Sequence, residues 1–143
     1  MSKDGQADAA ERMVLALRAS NEGIWDWTTG ERRIYCSRRI LEFLECSESS
    51  VPNLFLPPHD AIHPEERSRF EAVVRQSMDP GGPETLAIDC RVLTGSGGWL
   101  WLRIRGSVMR DRQGRATRIA GSMIDISRRK AAEAQLELSL IHI

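Results

Sequence analysis

No excess of either charge marks this 143-residue chain: Lys plus Arg number 20 and Asp plus Glu number 20. Nucleic-acid binding calls for a basic face, so no nucleic acid is expected as a partner. Long hydrophobic runs are missing too. A bilayer-spanning helix needs roughly 20 apolar residues, and nothing here approaches that. Residues 1–12 are polar and lack the apolar h-region of a signal peptide, so a cytoplasmic location is expected, with no membrane segment. Cysteine is scarce. Cys36, Cys46 and Cys90 are odd in number and show no C-x-x-C spacing. That argues against a disulfide framework or a zinc box and leaves free thiols, buried or half-buried. A Gly-rich phosphate loop, a Ser/His/Asp arrangement and a metal box are all absent, so no catalytic residue is assigned. His59 and His63 are four apart beside Asp60 and Glu66, but Pro57, Pro58 and Pro64 break the helix that would align the rings. His63 reads as a helix-start residue and the metal assignment is none. Internal repeats and low-complexity blocks are also missing.

What is present is hydrophobic periodicity, clearest from Gly97 to Ser127. Leu100, Leu102 and Ile104 alternate with Trp99, Trp101, Arg103 and Arg105. A period of two marks a strand with two different faces. Asp111-Arg112-Gln113-Gly114 supplies turn chemistry, and Ala116 to Ile126 returns as a second strand. Such a ribbon is marginal alone, so further strands must pair with it and something must cover one face.

The rest of the chain supplies both. Residues 1–10 are polar and read as a disordered lead. Glu11 to Ala19 favours helix, with an apolar stripe of Met13, Val14 and Leu17. Gly23 to Thr28 is a strand with Ile24 and Asp26 on one side and Trp25 and Trp27 on the other. A turn at Thr29 to Arg32 leads to a strand at Ile34 to Cys36. Ser37 is placed to cap a helix carrying Ile40, Leu41, Phe43 and Leu44. A short helical turn follows at Ser47 to Val51. Three prolines between Pro52 and Pro58 predict irregular structure. Pro64 suits a first helical position, with Glu65 and Glu66 in the turn that the helix dipole favours for negative charge. Phe70, Val73, Val74 and Met78 then form the apolar side of what should be the longest helix. Asp79 to Pro83 breaks it. Glu84 to Leu93 is a strand with Leu86, Ile88, Cys90 and Val92 on one face. Two strands, several helices and three strands predict an α+β domain: a five-stranded antiparallel sheet with helices on one face, an N-terminal cap helix and a C-terminal exit helix. A chain of this length makes one domain burying roughly two-thirds of its unfolded surface.

The C-terminal half resembles the PAC motif of PAS domains. The match is carried by Trp101, Arg103, Arg105, Gly106, Arg110, Asp111, Gly114, Gly121, Ser122, Asp125, Ile126, Ser127, Arg129, Lys130, Ala132 and Glu133. Upstream, Ala19 to Trp27 resembles that family's opening strand and His63 to Arg67 the start of its long helix. The resemblance covers roughly residues 12 to 135. It implies a sensory module whose sheet passes a ligand or partner event to the exit helix, and so to an output domain. A sensor histidine kinase of a two-component phosphorelay is the first expectation. A diguanylate cyclase, or a ligand-free dimerisation module, is the alternative. Homodimerisation through the N-terminal and exit helices is implied as well.

No cofactor is identified: a haem-ligating helix-interior histidine and the Asn-Cys-Arg-Phe motif of flavin photosensors are both absent. Trp25, Trp27, Phe70 and Trp101 are the pocket candidates, with packing as the other use of tryptophan area. Asp125, Ile126 and Ser127 are the candidate signal-relay residues. Asp125 or Ser127 can bond the first N–H groups of the exit helix, and Asp125 can pair with an arginine. Boundaries are set at 11–127 for the sensor domain and 128–137 for the exit helix or coiled-coil linker. Leu138 to Ile143 back-translate into a common sequencing-library adapter, so residues 138–143 are read as a non-native tail and the natural chain is expected to continue.

Overall fold

The computed structural model describes residues 3–141. Five helices and a single-turn 3-10 segment accompany five strands: α1 (Lys3–Ser20), β1 (Gly23–Thr28), β2 (Ile34–Cys36), α2 (Arg38–Leu44), the 3-10 turn Glu48–Ser50, α3 (Pro52–Phe55), α4 (Pro64–Met78), β3 (Thr85–Leu93), β4 (Trp99–Arg110), β5 (Ala116–Asp125) and α5 (Ser127–Ile141). The strands form one antiparallel sheet in the order β2-β1-β5-β4-β3. The register pairs Trp25 with Gly121 and Gly121 with Gly106.

Alternation sorts the two faces as expected. Trp25, Trp27, Ile34, Ile88, Cys90, Val92, Leu102, Ile104, Ile119 and Met123 turn inward. They meet Ile40, Leu44, Leu54, Phe55 and Phe70 from α2, α3 and α4 in one core. Removing this apolar area from water is the main force holding the domain together, at roughly 25 cal/mol per Å². The cross-strand glycines have a specific job here. A Cβ at Gly106 would lie 2.9 Å from the Trp25 ring, and one at Gly121 would collide with the Arg105 carbonyl oxygen. Bare backbone at both positions lets the Trp25 indole lie flat across β5 and β4. Its Nε1–H donates to the Ser122 carbonyl at 3.1 Å, and the Trp27 Nε1–H donates to the Glu31 carbonyl at 2.9 Å. Neither indole leaves a buried donor unmade.

The edge strand β3 is guarded by the segment that opens α4. Arg91 N–H donates to Glu66 Oε1, the Arg91 carbonyl accepts from His63 N–H, and Leu93 N–H donates to the Ala61 carbonyl. An edge capped in this way cannot recruit a further strand over that stretch.

Several local expectations need correction. The helix α1 starts at Lys3, inside the stretch read as a disordered lead, because Ala9, Ala10, Glu11 and Arg12 are strong helix formers that extend it toward the N-terminus. Met1 and Ser2 lie outside the described residues. At 18 residues α1, not α4 with 15, is the longest helix. The proline-rich stretch contains the four-residue helix α3, since Pro52 occupies a first-turn position where its missing N–H costs nothing. Ser37 makes no cap bond; its Oγ accepts from the Ile24 N–H at 2.9 Å and ties α2 to β1. The helix α5 runs on through Leu138 to Ile141 instead of stopping near Glu137. His142 and Ile143 lie outside the described residues.

Candidate functional site

Three of the four pocket candidates converge. Trp25, Trp27 and Phe70 line the same inner cavity, with Phe55, Ile104 and Ile119 beside them. Phe55 is the residue that sequence reasoning missed, because it lies among the prolines. Its ring centroid is 4.7 Å from Trp25, 6.2 Å from Trp27 and 6.2 Å from Phe70. The cavity these rings leave is about 10 Å³, the size of a single water, and no polar surface lines it. A drug-sized or cofactor-sized molecule needs roughly 300–1,000 Å³. His59 is also buried here. Its Nδ1 lies 3.1 Å from the Leu54 carbonyl and its ring meets Phe70 edge-on at 5.3 Å.

Trp101 does not belong to that pocket. Its neighbours Leu102 and Ile104 point inward, so period two sends Trp101 to the opposite face. There it floors an open groove of about 840 Å³ between α4, β3 and α5. Two cations lie over its ring, Lys130 Nζ at 4.6 Å from the centroid and the Arg91 guanidinium at 5.1 Å. Ion pairs cross this outer face. Arg103 grips Asp89 with contacts of 2.8 and 3.0 Å, and Arg91 grips Glu66 with contacts of 2.8 and 2.6 Å. Further along, Arg118 pairs with Asp26. Hydrogen bonds from these arginines hold Glu66, Asp89 and Asp26 below the usual carboxylate range, against a smaller upward push from burial.

The relay candidates sit where β5 becomes α5. The Asp125 carboxylate accepts from the Ser127 N–H at 2.9 Å. Asp125 thus holds the corner through backbone. Among the described residues its carboxylate joins no arginine, and the Ser127 hydroxyl makes no cap bond. Ile126 is buried, and its N–H donates to the Trp101 carbonyl at 3.0 Å. The Lys130 N–H then starts the helix ladder on the Ile126 carbonyl at 3.0 Å. No described residue of α5 is buried, so these first-turn contacts are what tie it to the sheet.

Residues 33–123 match the family model of the PAS fold. The chain belongs to the PAS fold family. Among curated relatives it is 26% identical over 135 residues to the probable diguanylate cyclase DgcE of Escherichia coli, covering 93% of this chain and 12% of that protein. It is 28% identical over 82 residues to the sensor protein FixL of Bradyrhizobium diazoefficiens, covering 57% of this chain and 16% of that protein. The PAS chain therefore spans a small part of each. Among solved structures it superposes on a sensory box histidine kinase/response regulator from Burkholderia thailandensis with a TM-score of 0.75 and 26% identity, covering 92% of this chain and 96% of that one. The N-terminal domain of a diguanylate cyclase with a PAS/PAC sensor, from Marinobacter aquaeolei, superposes with a TM-score of 0.65 at 22% identity, covering 76% and 98%. Among the described residues no helix is long and apolar enough to cross a membrane.

Proposed function

We propose that this PAS domain is a cytoplasmic sensory module that passes a ligand or partner event through its sheet to α5, and through α5 to the output domain of a two-component sensor histidine kinase. The observation that carries this reading is the seating of α5 on β4. One strand presents Leu102 and Ile104 to the core, its Trp101 carbonyl to Ile126, and its Trp101 ring to Lys130. A change in core packing that moves β4 therefore moves the base of α5. Asp125 keeps the corner stiff enough to transmit it. Such a relay is a population shift, and the input must favour one state over the other.

The relatives support two outputs, and the kinase is favoured because the solved chain from the Burkholderia kinase, similar in length to this one, superposes with a TM-score of 0.75 at 26% identity. A diguanylate cyclase is the second reading, supported by the alignment to DgcE along 93% of this chain. Dimerisation fits the helices at both ends. Met13, Val14 and Leu15 of α1 and Leu136 of α5 are exposed, and a helix in a protein draws most of its stability from packing an apolar face.

The parent protein tests both points. Reading its gene past the codon for Glu137 and assaying ATP-dependent autophosphorylation on histidine should give phosphotransfer that Asp125→Ala weakens. Cyclic dinucleotide synthesis without phosphotransfer would replace the kinase with the cyclase. An unaltered output in Asp125→Ala would remove the corner from the relay.

A further inference from the structure

We propose that α4 and the exit helix are coupled by a second route around the β3 edge, and that Arg91 is its positioning residue. This rests on the reading of α5 as the output element. The route runs Glu66, Arg91, Trp101, Lys130. Glu66 is 6% exposed, and a carboxylate that far from water needs a full set of partners. Arg91 supplies them: its Nε–H to Oε1 at 2.8 Å, an Nη–H to Oε2 at 2.6 Å and its backbone N–H to Oε1 at 3.0 Å. Glu65 takes a further Nη–H. A guanidinium fixed by a bidentate carboxylate has little freedom, so the position of Glu66 on α4 sets where the Arg91 charge stands above Trp101.

The Lys130 ammonium shares that ring. Two cations on one indole repel each other unless one is neutralised. Glu65 and Glu66 neutralise Arg91 and so admit Lys130. The other charges facing this place are Arg69 from α4, Asp89 from β3, Arg103 from β4, and Arg129 and Glu133 from α5. Glu133 lies 3.6 Å from Lys130. They modulate the field, but it is Glu66, with Glu65 beside it, that connects α4 to the ring through Arg91. A shift at the start of α4, whose Phe70 faces the core, would unbalance Arg91 and loosen the first turn of α5. Trp101, a pocket candidate by its residue type, stands on the outer face, and there it serves as a clasp.

Amide hydrogen exchange of residues 130–133 in this chain, read in a double-mutant cycle, tests the coupling. Glu66→Gln should speed their exchange roughly threefold to tenfold, in the range of transmitted couplings. In a Lys130→Gln background the same change should have no further effect. Adding Arg91→Gln to Glu66→Gln should restore protection, because the unbalanced charge is gone. Equal acceleration with and without Lys130, or further loss in the Glu66→Gln/Arg91→Gln pair, would show only a loosened edge and overturn the proposal. Unchanged exchange would overturn it as well. Glu65→Gln, which also removes an anion from Arg91 but leaves Glu66 seated, gives the same cycle should Glu66→Gln not fold. If the coupling holds while Lys130→Gln leaves the parent's output unchanged, the reading of α5 as output fails and the coupling stands.

Discussion

The two faces of the sheet are built on different physics. The inner face is apolar and closed to a cavity of about 10 Å³. The outer face is crossed by Asp26–Arg118, Asp89–Arg103 and Glu66–Arg91 and opens into a groove of about 840 Å³. A close-packed interior resists small changes, whereas partly exposed ion pairs such as Asp26–Arg118 and Asp89–Arg103 are open to exchange with solvent at a smaller cost, Glu66 being the buried exception. The inner face therefore sets stability, and the outer face is where α5 can be tuned without unfolding the domain.

The sharpest way to break this division is to truncate one aromatic on each side. Trp25→Ala should cost about 3–5 kcal/mol of unfolding free energy, because it empties the site spanned by Gly106, Gly121 and Phe55. Trp101→Ala should cost clearly less in a urea titration and should instead free the first turn of α5. Equal losses would mean that the outer face is as structural as the core. Next in size is Gly106→Ala. Its methyl would press on the Trp25 ring, and overpacking of this kind costs about 1–3 kcal/mol. A neutral result would show that the indole slides, and that the inner face is softer than its geometry.

Comparable in size is a lock at the far end of the sheet. The Arg110 guanidinium donates to the carbonyls of Ser77, Asp79, Pro83 and Gly114 at 2.8–3.0 Å. It gathers the C-terminal end of α4, the loop into β3 and the β4–β5 turn. Arg110→Met should destabilise by about 2 kcal/mol, given charge-assisted bonds worth about 1.5–3. Arg110→Lys should recover only part, since an ammonium has no fork. Full recovery by lysine would reduce the role of Arg110 to charge alone.

How much of this could be read from the chain varies with the range of the interaction. The sheet and its inner face were legible because alternation is local: Leu100, Leu102 and Ile104 declare their side within five residues. The α4 start was legible from Pro64, Glu65 and Glu66 for the same reason. The same alternation already set Trp101 with Trp99 and Arg103, but grouping tryptophans by type obscured it. Phe55 was hidden because prolines at 52, 57 and 58 suggested irregular chain, although a first-turn proline leaves the next residues free to be helical. The Glu66–Arg91 pairing and three of the four carbonyls around Arg110 join residues 25 to 33 apart. Neither local pattern nor spacing specifies them. The cavity volume is a property of the assembled rings alone.

A pH series sharpens the comparison further. Arg118, Arg91 and Arg103 hold the carboxyls of Asp26, Glu66 and Asp89 below their ordinary values. The unfolded chain therefore binds more protons as the pH falls. The stabilisation is complete above the unfolded values, about 3.9 for Asp and 4.3 for Glu, and is lost as pH falls through the lower folded ones. The urea midpoint should stay level from about pH 7 to 5.5 and drop below about pH 4.5. Glu66→Gln should make that drop shallower. The loss in Trp25→Ala should keep its size at every pH, since no proton is involved. A loss in Trp25→Ala that grew on acidification would tie the two faces together energetically.

The smallest effect concerns the thiols, and it measures how firmly the inner face stays shut. Burial pushes Cys36 and Cys90 up to about 12, and it raises Cys46, which is only half-buried, as well. Thiolate is the reactive form. A thiol reagent at neutral pH should therefore label Cys46 first and leave Cys36 and Cys90 to react only as fast as the domain opens. Mild urea should accelerate the two buried sites together, because both lie in one core. Three thiols reacting at one rate would show an inner face that opens readily, and a ligand could then enter among Trp25, Phe55 and Phe70. If instead the two stay protected, an input has to act on the outer face or through a partner, where Arg91 and Lys130 stand over Trp101.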